Sequence, residues 1–260
     1  MLSELKTIWA GRGEVRYEPQ MSSTNLVAKE MARMGAPHGS LAVCDDQTAG
    51  KGRLQRQWET PAGLALTQSM VLRPKLRPEQ AQLITLAAAV ASAKAIEEVC
   101  PELSVGIKWP NDGVVNGKKC VGVLCEMALD GNGLSYVIPG VGINVNQPAF
   151  EGELSEKATS LLIETGKKAD RWAVLRAYLT HMEEAVDAVE KYGLNGILQE
   201  YISRSVTIGS EVRVIAPDEE YVAKARGIDE TGALLVRDEK GCERRVLCGD
   251  VSVRGLMGYV

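Results

Sequence analysis

The chain has 260 residues, with 30 Lys and Arg against 34 Asp and Glu, which gives a formal net charge of −4. That balance lacks the broad basic surface that binds a nucleic-acid backbone, so we expect no DNA partner. No stretch reaches the roughly 18 apolar residues that span a bilayer, and no apolar signal region starts the chain, so we expect no membrane association. Six cysteines without a C-x-x-C pair, beside only two histidines, indicate reduced thiols in a cytoplasmic protein.

The first 13 residues are predicted to form one short docking helix, because their apolar side chains recur at helical spacing: Leu2, Leu5, Ile8 and Trp9. The segment before Ser22 is too short for a separate DNA-binding domain. A strand is predicted over residues 15–19. Ser22 or Ser23 would then cap a helix that stops at Gly35.

The middle of the chain is predicted to be α+β, because successive strands join as hairpins while the helices are gathered separately. Asn116-Gly117 is a strong two-residue hairpin turn, and it places Lys119 on the strand that returns beside Asp112. Asp170 is expected to cap a long helix that ends near Gly193. The predicted strands are residues 41–44, 64–72, 105–109, 118–125 and 134–141, and the predicted helices are an amphipathic one over 78–99, a short one over 158–164 and the long one after Asp170.

The pattern changes after residue 205. Five short alternating strands are predicted over residues 211–215, 221–228, 233–238, 243–247 and 251–254, and turn residues separate them. Five short strands in about 50 residues are typical of a small SH3-like β-barrel. The sequence therefore predicts two domains, residues 1–205 and residues 206–260.

A basic loop over residues 47–58 joins two of the predicted strands. Gly50 and Gly52 allow a tight turn whose N–H groups would face an anion. Lys51, Arg53 and Arg56 add three positive charges, which suits phosphate binding. The loop is not a Walker A motif, because Gly52 is followed by Arg53. A solvated basic turn between strands is the alternative interpretation.

Four further motifs support the phosphate-binding interpretation: Ser23-Thr24-Asn25, Lys108-Trp109-Pro110-Asn111-Asp112 with Lys119 and Gly122 after it, Pro139-Gly140-Val141-Gly142-Ile143-Asn144-Val145-Asn146, and Gly249-Asp250-Val251-Ser252-Val253-Arg254. With the basic loop, they resemble biotin protein ligase over nearly the whole chain, in the monofunctional form without an N-terminal DNA-binding domain. The resemblance implies a mixed or antiparallel sheet with packed helices, of the class II aminoacyl-tRNA synthetase/biotin synthetase type. It also implies ATP and biotin as substrates, Mg²⁺, and a biotin carboxyl carrier protein or domain as the partner.

The implied chemistry activates biotin as biotinyl-5′-AMP and then acylates a carrier lysine. Attack of a carboxylate on the α-phosphorus brings anions together, so cations must lie there. We assign the central catalytic role to Lys119, with Arg53 as a second catalytic cation. A free lysine has a pKa of about 10.4 and is mostly protonated at neutral pH. Asp112 is therefore assigned to the acceptor amine, although it would also suit an Asx turn or a magnesium ligand.

The resemblance also implies two sets of binding residues. Residues expected to bind biotin are Ser23, Thr24, Asn25, Gln47, Gly50, Lys51, Lys119 and Gly122. Residues expected to bind ATP or the adenylate are Arg53, Arg56, Trp58, Asn111, Asn144 and Arg254. Helix capping is the simpler interpretation of the serine, threonine and asparagine in the first set. The family commonly has glycine where this chain has Gln55, so closure of the basic loop is expected to differ.

Three alternatives remain at this point: a lipoate ligase or octanoyl transferase of the same fold, a biotin-sensing regulator, and a ligand-binding protein that has lost catalysis. The paired basic-loop and Lys-Trp-Pro-Asn-Asp motifs argue against the first. The short segment before Ser22 argues against the second, and the presence of Lys119, Asp112, Arg53 and Arg56 argues against the third. The sequence leaves open whether the protein is a monomer or a homodimer, and which carrier it modifies.

Overall fold

A seven-stranded sheet organises the first 200 residues. The structure is a computed structural model that describes residues 4–58, 61–131, 133–216, 218–248 and 252–255. Across the sheet the order is β1-β2-β3-β7-β6-β5-β4, in which β1 pairs parallel with β2 and the other described pairs are antiparallel. The strands are β1 (Val15–Met21), β2 (Ser40–Gln47), β3 (Ala65–Val71), β4 (Gly106–Lys108), β5 (Asp112–Val115), β6 (Lys118–Asp130) and β7 (Gly133–Asn144). This confirms the predicted α+β class with a mixed sheet.

Six helices accompany the described strands: α1 (Thr24–Arg33), α2 (Gln82–Val99), α3 (Leu154–Lys157), α4 (Leu161–Thr165), α5 (Arg171–Tyr192) and α6 (Leu198–Arg204). Helix α1 covers one face of the sheet, where Met31 packs with Val71 and Ile138. Helices α2 and α5 cover the other face, and Ile84 and Leu175 lie in that core. The short helix predicted over 158–164 is present as α4 but begins three residues later, at Leu161, and α3 ends before the predicted range starts.

The C-terminal region forms a five-stranded antiparallel sheet with the SH3-like barrel architecture that the sequence predicted. Its order is β11-β10-β9-β8-β12, from β8 (Glu211–Ile215), β9 (Glu220–Ile228), β10 (Leu234–Asp238), β11 (Glu243–Val246) and β12 (Ser252–Gly255). Residue 251, the predicted start of the last strand, lies outside the described residues. Because α6 ends at Arg204 and β8 begins at Glu211, we retain residue 205/206 as the proposed domain boundary.

Helix α2 is buried on nearly every side, so its predicted amphipathic character is wrong. One face packs on the large sheet, while Leu83 and Leu86 join the core of the C-terminal barrel. Gln82 Nε2 and Trp109 Nε1 both donate to the carbonyl of Gly232, at 2.6 and 3.0 Å. The barrel thus covers the start of α2, while α5 packs along the helix, so little of α2 meets water.

The predicted docking helix at the N-terminus is also wrong. Residues 4–13 form turns and bends, and Leu2 lies outside the described residues. The carboxylate of Glu183 on α5 accepts hydrogen bonds from the backbone N–H groups of Ile8, Trp9 and Ala10, at 2.7, 2.6 and 2.9 Å. These contacts hold the segment in a turn, and Ile8 is 86% exposed. A distant carboxylate therefore sets the local conformation, and helical spacing alone does not reveal it.

Of the predicted helix caps, the one at Asp170 is confirmed, and the one at Ser23 is not made by its side chain. Asp170 caps α5 by accepting a hydrogen bond from the N–H of Trp172 at 2.9 Å, and α5 ends before Gly193, as predicted. Ser23 precedes α1, but its side chain makes no capping hydrogen bond. The N–H of Thr24 donates instead to Gln47 Oε1 at 2.8 Å. The start of α1 is therefore held by β2 rather than by a side chain of its own.

One further feature matches the sequence. Asn116 and Gly117 form the predicted hairpin turn, with φ of 48° and 75° in the left-handed region that this turn requires. In the described part of the chain, no helix combines the length and the apolar character that a membrane span needs.

We expect the stability of the fold to decrease as the pH falls below about 6.5. His38 is half-buried, burial lowers its pKa, and its Nδ1 accepts a hydrogen bond from the N–H of Arg73 at 3.0 Å. Because the folded state binds the proton less tightly than the unfolded state, stability is full above pH 6.5 and declines toward the lower folded pKa. Urea unfolding at pH 7.5 and 5.5 measures the decline. A His38→Gln variant that loses as much stability between the two pH values would contradict this assignment.

Candidate functional site

A cavity of about 710 Å³ opens at one end of the large sheet. That volume is typical of sites that enclose a small molecule. The cavity is lined by the start of α1, the basic loop, the turn between β4 and β5, and the glycine-containing parts of β6 and β7. A segment over residues 150–158 completes its wall. The motifs that are far apart in the sequence therefore meet around one space.

The basic loop follows β2 and folds back on itself. The N–H of Trp58 donates to the carbonyl of Gly50 at 3.0 Å, and the N–H of Gly52 donates to the carbonyl of Arg56 at 2.7 Å. A Cβ added to Gly50 would lie 2.3 Å from the carbonyl oxygen of Trp58, so this position requires glycine. The predicted tight turn is present, but the Gly52 N–H bonds within the loop. Leu54 has φ of 54°, a left-handed conformation that is unusual for leucine.

Arg53 connects the basic loop to two other parts of the protein. Its guanidinium donates to Asn111 Oδ1 at 3.1 Å and to the backbone carbonyl of Cys248 in the C-terminal domain. The side chain of Asn111 in turn donates to the carbonyl of Val123 on β6 at 2.7 Å. Lys51 and Arg56 are exposed and line the cavity. One arginine therefore ties the loop down, while two other cations face the open space.

Lys119 and Asp112 form an ion pair in the cavity wall, with 2.7 Å between Nζ and Oδ1. The hairpin places them together, because Asp112 starts β5 directly opposite Gly122 on β6. Their side chains are 26% and 15% exposed, which leaves both accessible from the cavity. The ammonium also lies 5.6 Å from the centroid of the Trp58 ring. The strand positions hold this cation firmly between a carboxylate and an aromatic face.

Glycines on β6 and β7 make room for the cavity's inner wall. A Cβ on Gly142 would lie 2.4 Å from the Trp58 ring, and one on Gly122 would lie 2.8 Å from it. A Cβ on Gly140 would lie 1.8 Å from Asn25 Oδ1. Since a real Cβ does not approach so closely, Trp58 and Asn25 can occupy their places only because these three positions are glycine.

The inner end of the cavity is polar. Ser23, Thr24 and Asn25 at the start of α1 lie beside Gln47 at the end of β2, as the sequence predicted for these four residues. Ser69 on β3 joins them, with its Oγ 2.8 Å from Thr24 Oγ1 and 2.6 Å from Asn25 Oδ1. Ser69 was not predicted from the sequence. The alternation of side chains along β3 shows which residues share a face, but it does not show that this face meets α1.

Asn144 and Arg254 were also predicted to bind the nucleotide, and the structure describes the side chain of Asn144 only. Asn144 lines the cavity and is 5% exposed, and its Nδ2 donates to the carbonyl of Thr159 at 3.0 Å. Its Oδ1 accepts from Gln147 Nε2 at 3.2 Å. The backbone of Arg254 pairs with Arg213 in the C-terminal sheet, but its side chain lies outside the described part of the structure. The same applies to the side chain of Gln55.

The segment over residues 150–158 was not predicted as part of the site. It includes Phe150, the only phenylalanine of the chain, and Leu154, which is 54% exposed at the cavity. The N–H of Thr159 donates to the carbonyl of Lys119 at 2.9 Å, which fixes the end of the segment beside β6. The isolated phenylalanine and a short helix with an exposed leucine are the signals that would have identified it.

Few of the described side chains that line the cavity are possible metal ligands. In the ranges that the structure describes, no group of three His, Cys, Asp or Glu side chains is arranged to hold a metal ion. All six cysteines are free, and burial raises the pKa of Cys125 to about 12. Asp112 is paired with Lys119, whose positive charge disfavours a second cation beside it.

Residues 17–144 match the Biotin/lipoate A/B protein ligase family, and residues 207–254 match the Biotin protein ligase C terminal domain. The chain is 38% identical over 230 residues to the bifunctional ligase/repressor BirA of Bacillus subtilis, in an alignment that covers 88% of this chain and 70% of that protein. It is 34% identical over 252 residues to the biotin--[acetyl-CoA-carboxylase] ligase of Mycobacterium tuberculosis, covering 94% and 91%. The chain belongs to the biotin protein ligase family.

Among solved structures of the biotin protein ligase family, the Aquifex aeolicus enzyme in complex with biotin and ATP superposes with a TM-score of 0.79. It is 30% identical in sequence, and the match covers 93% of this chain and 99% of that one. The first family model covers biotin and lipoate ligases together, but the C-terminal match is specific to biotin protein ligases. The resemblance to biotin protein ligases is therefore confirmed, and so are the fold and the C-terminal barrel.

Proposed function

We propose that this protein is an ATP-dependent ligase that activates biotin as biotinyl-5′-AMP and transfers the biotinyl group to a lysine of a biotin carboxyl carrier protein or domain. The observation that carries the proposal is the cavity itself. Its polar end, the Lys119–Asp112 ion pair and the basic loop all line one space. Relatives named as biotin ligases, and a neighbour solved with biotin and ATP, support the same activity.

Biotin is assigned to the inner end of the cavity. Thr24 and Gln47 supply hydrogen-bonding groups for its ureido ring, while Gly122 of β6 and Lys51 of the basic loop line the same cavity. Trp58 provides an apolar surface, because its ring packs against the glycines of β6 and β7. This arrangement combines a mainly apolar slot with a few placed polar groups, as small-molecule sites generally do. Ser23, Asn25 and Gly50 shape the same end.

Lys119 is assigned to the first step. An oxygen of the biotin carboxylate attacks the α-phosphorus of ATP, a new P–O bond forms, and pyrophosphate leaves with the electron pair of the broken P–O bond. Negative charge accumulates on the phosphoryl oxygens, and the Lys119 ammonium stabilises it from a rigid strand. Arg56 and Lys51 contribute charge from the loop. Trp58, Asn111 and Asn144 complete the proposed nucleotide site with Arg53, and Arg254 is proposed to reach it from the barrel.

Asp112 is assigned to the second step as well as to holding Lys119. The neutral acceptor amine attacks the acyl carbon of the adenylate, an amide bond forms, and AMP leaves with the electron pair of the broken C–O bond. A carboxylate near the amine orients it and favours loss of its proton. Asp112 is suited to this task because it lies in the cavity wall beside the expected position of the anhydride.

Magnesium is proposed to arrive with ATP. Mg²⁺ prefers oxygen ligands and commonly binds through substrate phosphates rather than through a cage of protein side chains. That arrangement agrees with the absence of a three-ligand cluster among the described residues. The protein is further proposed to work in the cytoplasm, where reducing conditions would keep its six free thiols reduced.

Incubation with ATP, Mg²⁺, biotin and a purified biotin carrier domain tests the proposed function directly. We expect covalent biotin on one carrier lysine, detected by intact-mass measurement, and no labelling when ATP is omitted. Lipoate and octanoate replace biotin in parallel reactions, because ligases and transferases of the same fold use these acids. Labelling of the carrier by lipoate or octanoate but not by biotin would overturn the assignment.

Replacing Gly140 with alanine is expected to weaken biotin binding tenfold or more, because the new methyl group would displace Asn25 from its place beside β7. Gly227→Ala is the matched control, since a Cβ there meets nothing within 4 Å. Titration calorimetry with biotin measures both variants. Equal biotin affinity in Gly140→Ala and the wild type would remove Asn25 and Gly140 from the proposed site.

Asp112→Asn is expected to slow both steps, with the greater loss in the second. The ion pair to Lys119 would become a neutral contact, which weakens the positioning of the ammonium in adenylate formation. Transfer would lose the group that receives the amine's proton. Preformed biotinyl-5′-AMP offered with the carrier isolates the second step, and pyrophosphate release reports the first. A variant that fails only in the first step and recovers at high Mg²⁺ would identify Asp112 as a metal ligand.

A further inference from the structure

Glu126 on β6 lies behind the polar end of the cavity and contacts α1. One of its oxygens, Oε2, accepts a hydrogen bond from Asn25 Nδ2 at 2.8 Å, and the other accepts one from the ammonium of Lys29. The same amide nitrogen of Asn25 donates to the carbonyl of Leu124 at 3.2 Å. Glu126 does not line the cavity, so it is outside the set of residues that would touch a ligand.

These contacts fix which way the Asn25 amide faces. A carboxylate and a backbone carbonyl only accept hydrogen bonds, so the NH₂ group of Asn25 must point toward Glu126 and Leu124. The amide oxygen must then point toward Ser69, whose Oγ lies 2.6 Å away. Because an amide oxygen also only accepts, the hydroxyl of Ser69 has to donate its proton to Asn25.

The donor and acceptor roles of Ser69 determine those of Thr24, which lines the cavity. With its proton given to Asn25, Ser69 Oγ is left as an acceptor for the Thr24 hydroxyl 2.8 Å away. Gln47 Oε1, at 3.2 Å, is a second acceptor for that hydroxyl among the described residues. In either case the proton of Thr24 is used in a bond within the protein, which leaves a lone pair of Thr24 Oγ1 to accept from a ligand. Gln47 Oε1 also accepts from the Thr24 N–H, which leaves the Gln47 NH₂ group to donate to a ligand.

We propose that Glu126 is a positioning residue that fixes this polarity: acting through Asn25 and Ser69, it makes Thr24 an acceptor toward the substrate, beside the donor of Gln47. The inference rests on the proposed function, because an acceptor next to a donor complements the N–H and C=O groups of a cyclic urea. Without Glu126, the Asn25 amide keeps only the Leu124 carbonyl to orient it. The amide is then able to turn over, and Ser69 and Thr24 lose their fixed directions.

Three variants test the proposal: Glu126→Ala removes the acceptor, Glu126→Gln keeps the size and one acceptor oxygen, and Lys29→Met removes only the neighbouring charge. Biotin binding to each folded protein is measured by titration calorimetry without ATP. The KM values for biotin and ATP come from pyrophosphate release. We expect Glu126→Ala to weaken biotin binding about tenfold, the effect of leaving one buried hydrogen-bonding group without its partner. Its KM for ATP should stay within about twofold of the wild-type value.

The matched variants separate positioning from a general structural role. Glu126→Gln should recover most of the biotin affinity, and Lys29→Met should bind biotin nearly as the wild type does. Unchanged biotin binding in Glu126→Ala would overturn the proposal, and so would equal losses for biotin and ATP or a failure of Glu126→Gln to recover. A wild-type protein that does not bind biotin would instead overturn the proposed function.

Discussion

Lys119→Ala is expected to slow biotin-dependent release of pyrophosphate by about a hundredfold or more, because removing one preorganised donor from a developing anion typically has that effect. The residue is held by Asp112 at 2.7 Å on a strand that also packs in the core, so its charge needs no reorganisation when the phosphoryl oxygens become more negative. The loss should appear mainly in kcat, since the contact strengthens in the transition state.

Lys118→Ala is the matched control for this change. Lys118 is the preceding lysine on the same strand, its ammonium donates to the carbonyl of Ser155 at 3.1 Å, and it does not line the cavity. We expect the control to release pyrophosphate at nearly the wild-type rate. Thermal unfolding of both variants checks the fold. Near-normal release by folded Lys119→Ala would remove this lysine from the proposed first step.

Arg53→Gly is expected to change where the biotinyl group goes. The wild-type guanidinium ties the basic loop to Asn111 and to the carbonyl of Cys248, and so joins the loop to both domains. An acyl-adenylate is hydrolysed by water and reacts with any amine, so a covered cavity protects it between the two steps. A loop without this tether should open early and release the adenylate. Bystander proteins would then be biotinylated along with the carrier.

The matched control for loop flexibility is Leu54→Gly. It adds a glycine at a position where φ is already 54°, and it keeps the guanidinium. Each enzyme is incubated with biotin, ATP, Mg²⁺, the carrier and an unrelated protein, and the biotin on both proteins is counted by mass spectrometry. We expect bystander labelling to rise at least tenfold with Arg53→Gly and to change little with Leu54→Gly. Carrier-only labelling by Arg53→Gly would show that the loop is a static binding turn.

Much of the fold is predictable because its signals are local. The hairpin at Asn116-Gly117, the cap at Asp170 and the alternating strands of the barrel each depend on neighbours in the sequence. Two of the errors involve contacts between distant residues. Glu183 holds the N-terminal segment in a turn from 173 to 175 residues away, and α5 and the barrel together bury α2. Periodicity does not contain that information.

The residues of the candidate site also fall into two groups, those that the sequence predicts and those that depend on contacts between distant residues. Motifs recognised as blocks, such as the one ending at Asp112 and the one containing Gly140, meet around the cavity as expected. Ser69 and Glu126 were missed because each lies inside a strand and its hydrogen-bond partner on α1 is distant in the sequence. The strand order β1-β2-β3-β7-β6 brings those partners together, and that order follows from tertiary packing rather than from any single motif.

The central claim is that this cavity joins biotin to the α-phosphate of ATP, and exchange of labelled pyrophosphate into ATP tests it most directly. The exchange requires reversible formation of an acyl-adenylate and no carrier, so it isolates the chemistry of Lys119 and the basic loop. The proposed function predicts rapid exchange that depends on biotin and falls about a hundredfold in Lys119→Ala. Exchange that is absent with biotin, or that proceeds with lipoate or octanoate in its place, would contradict the claim.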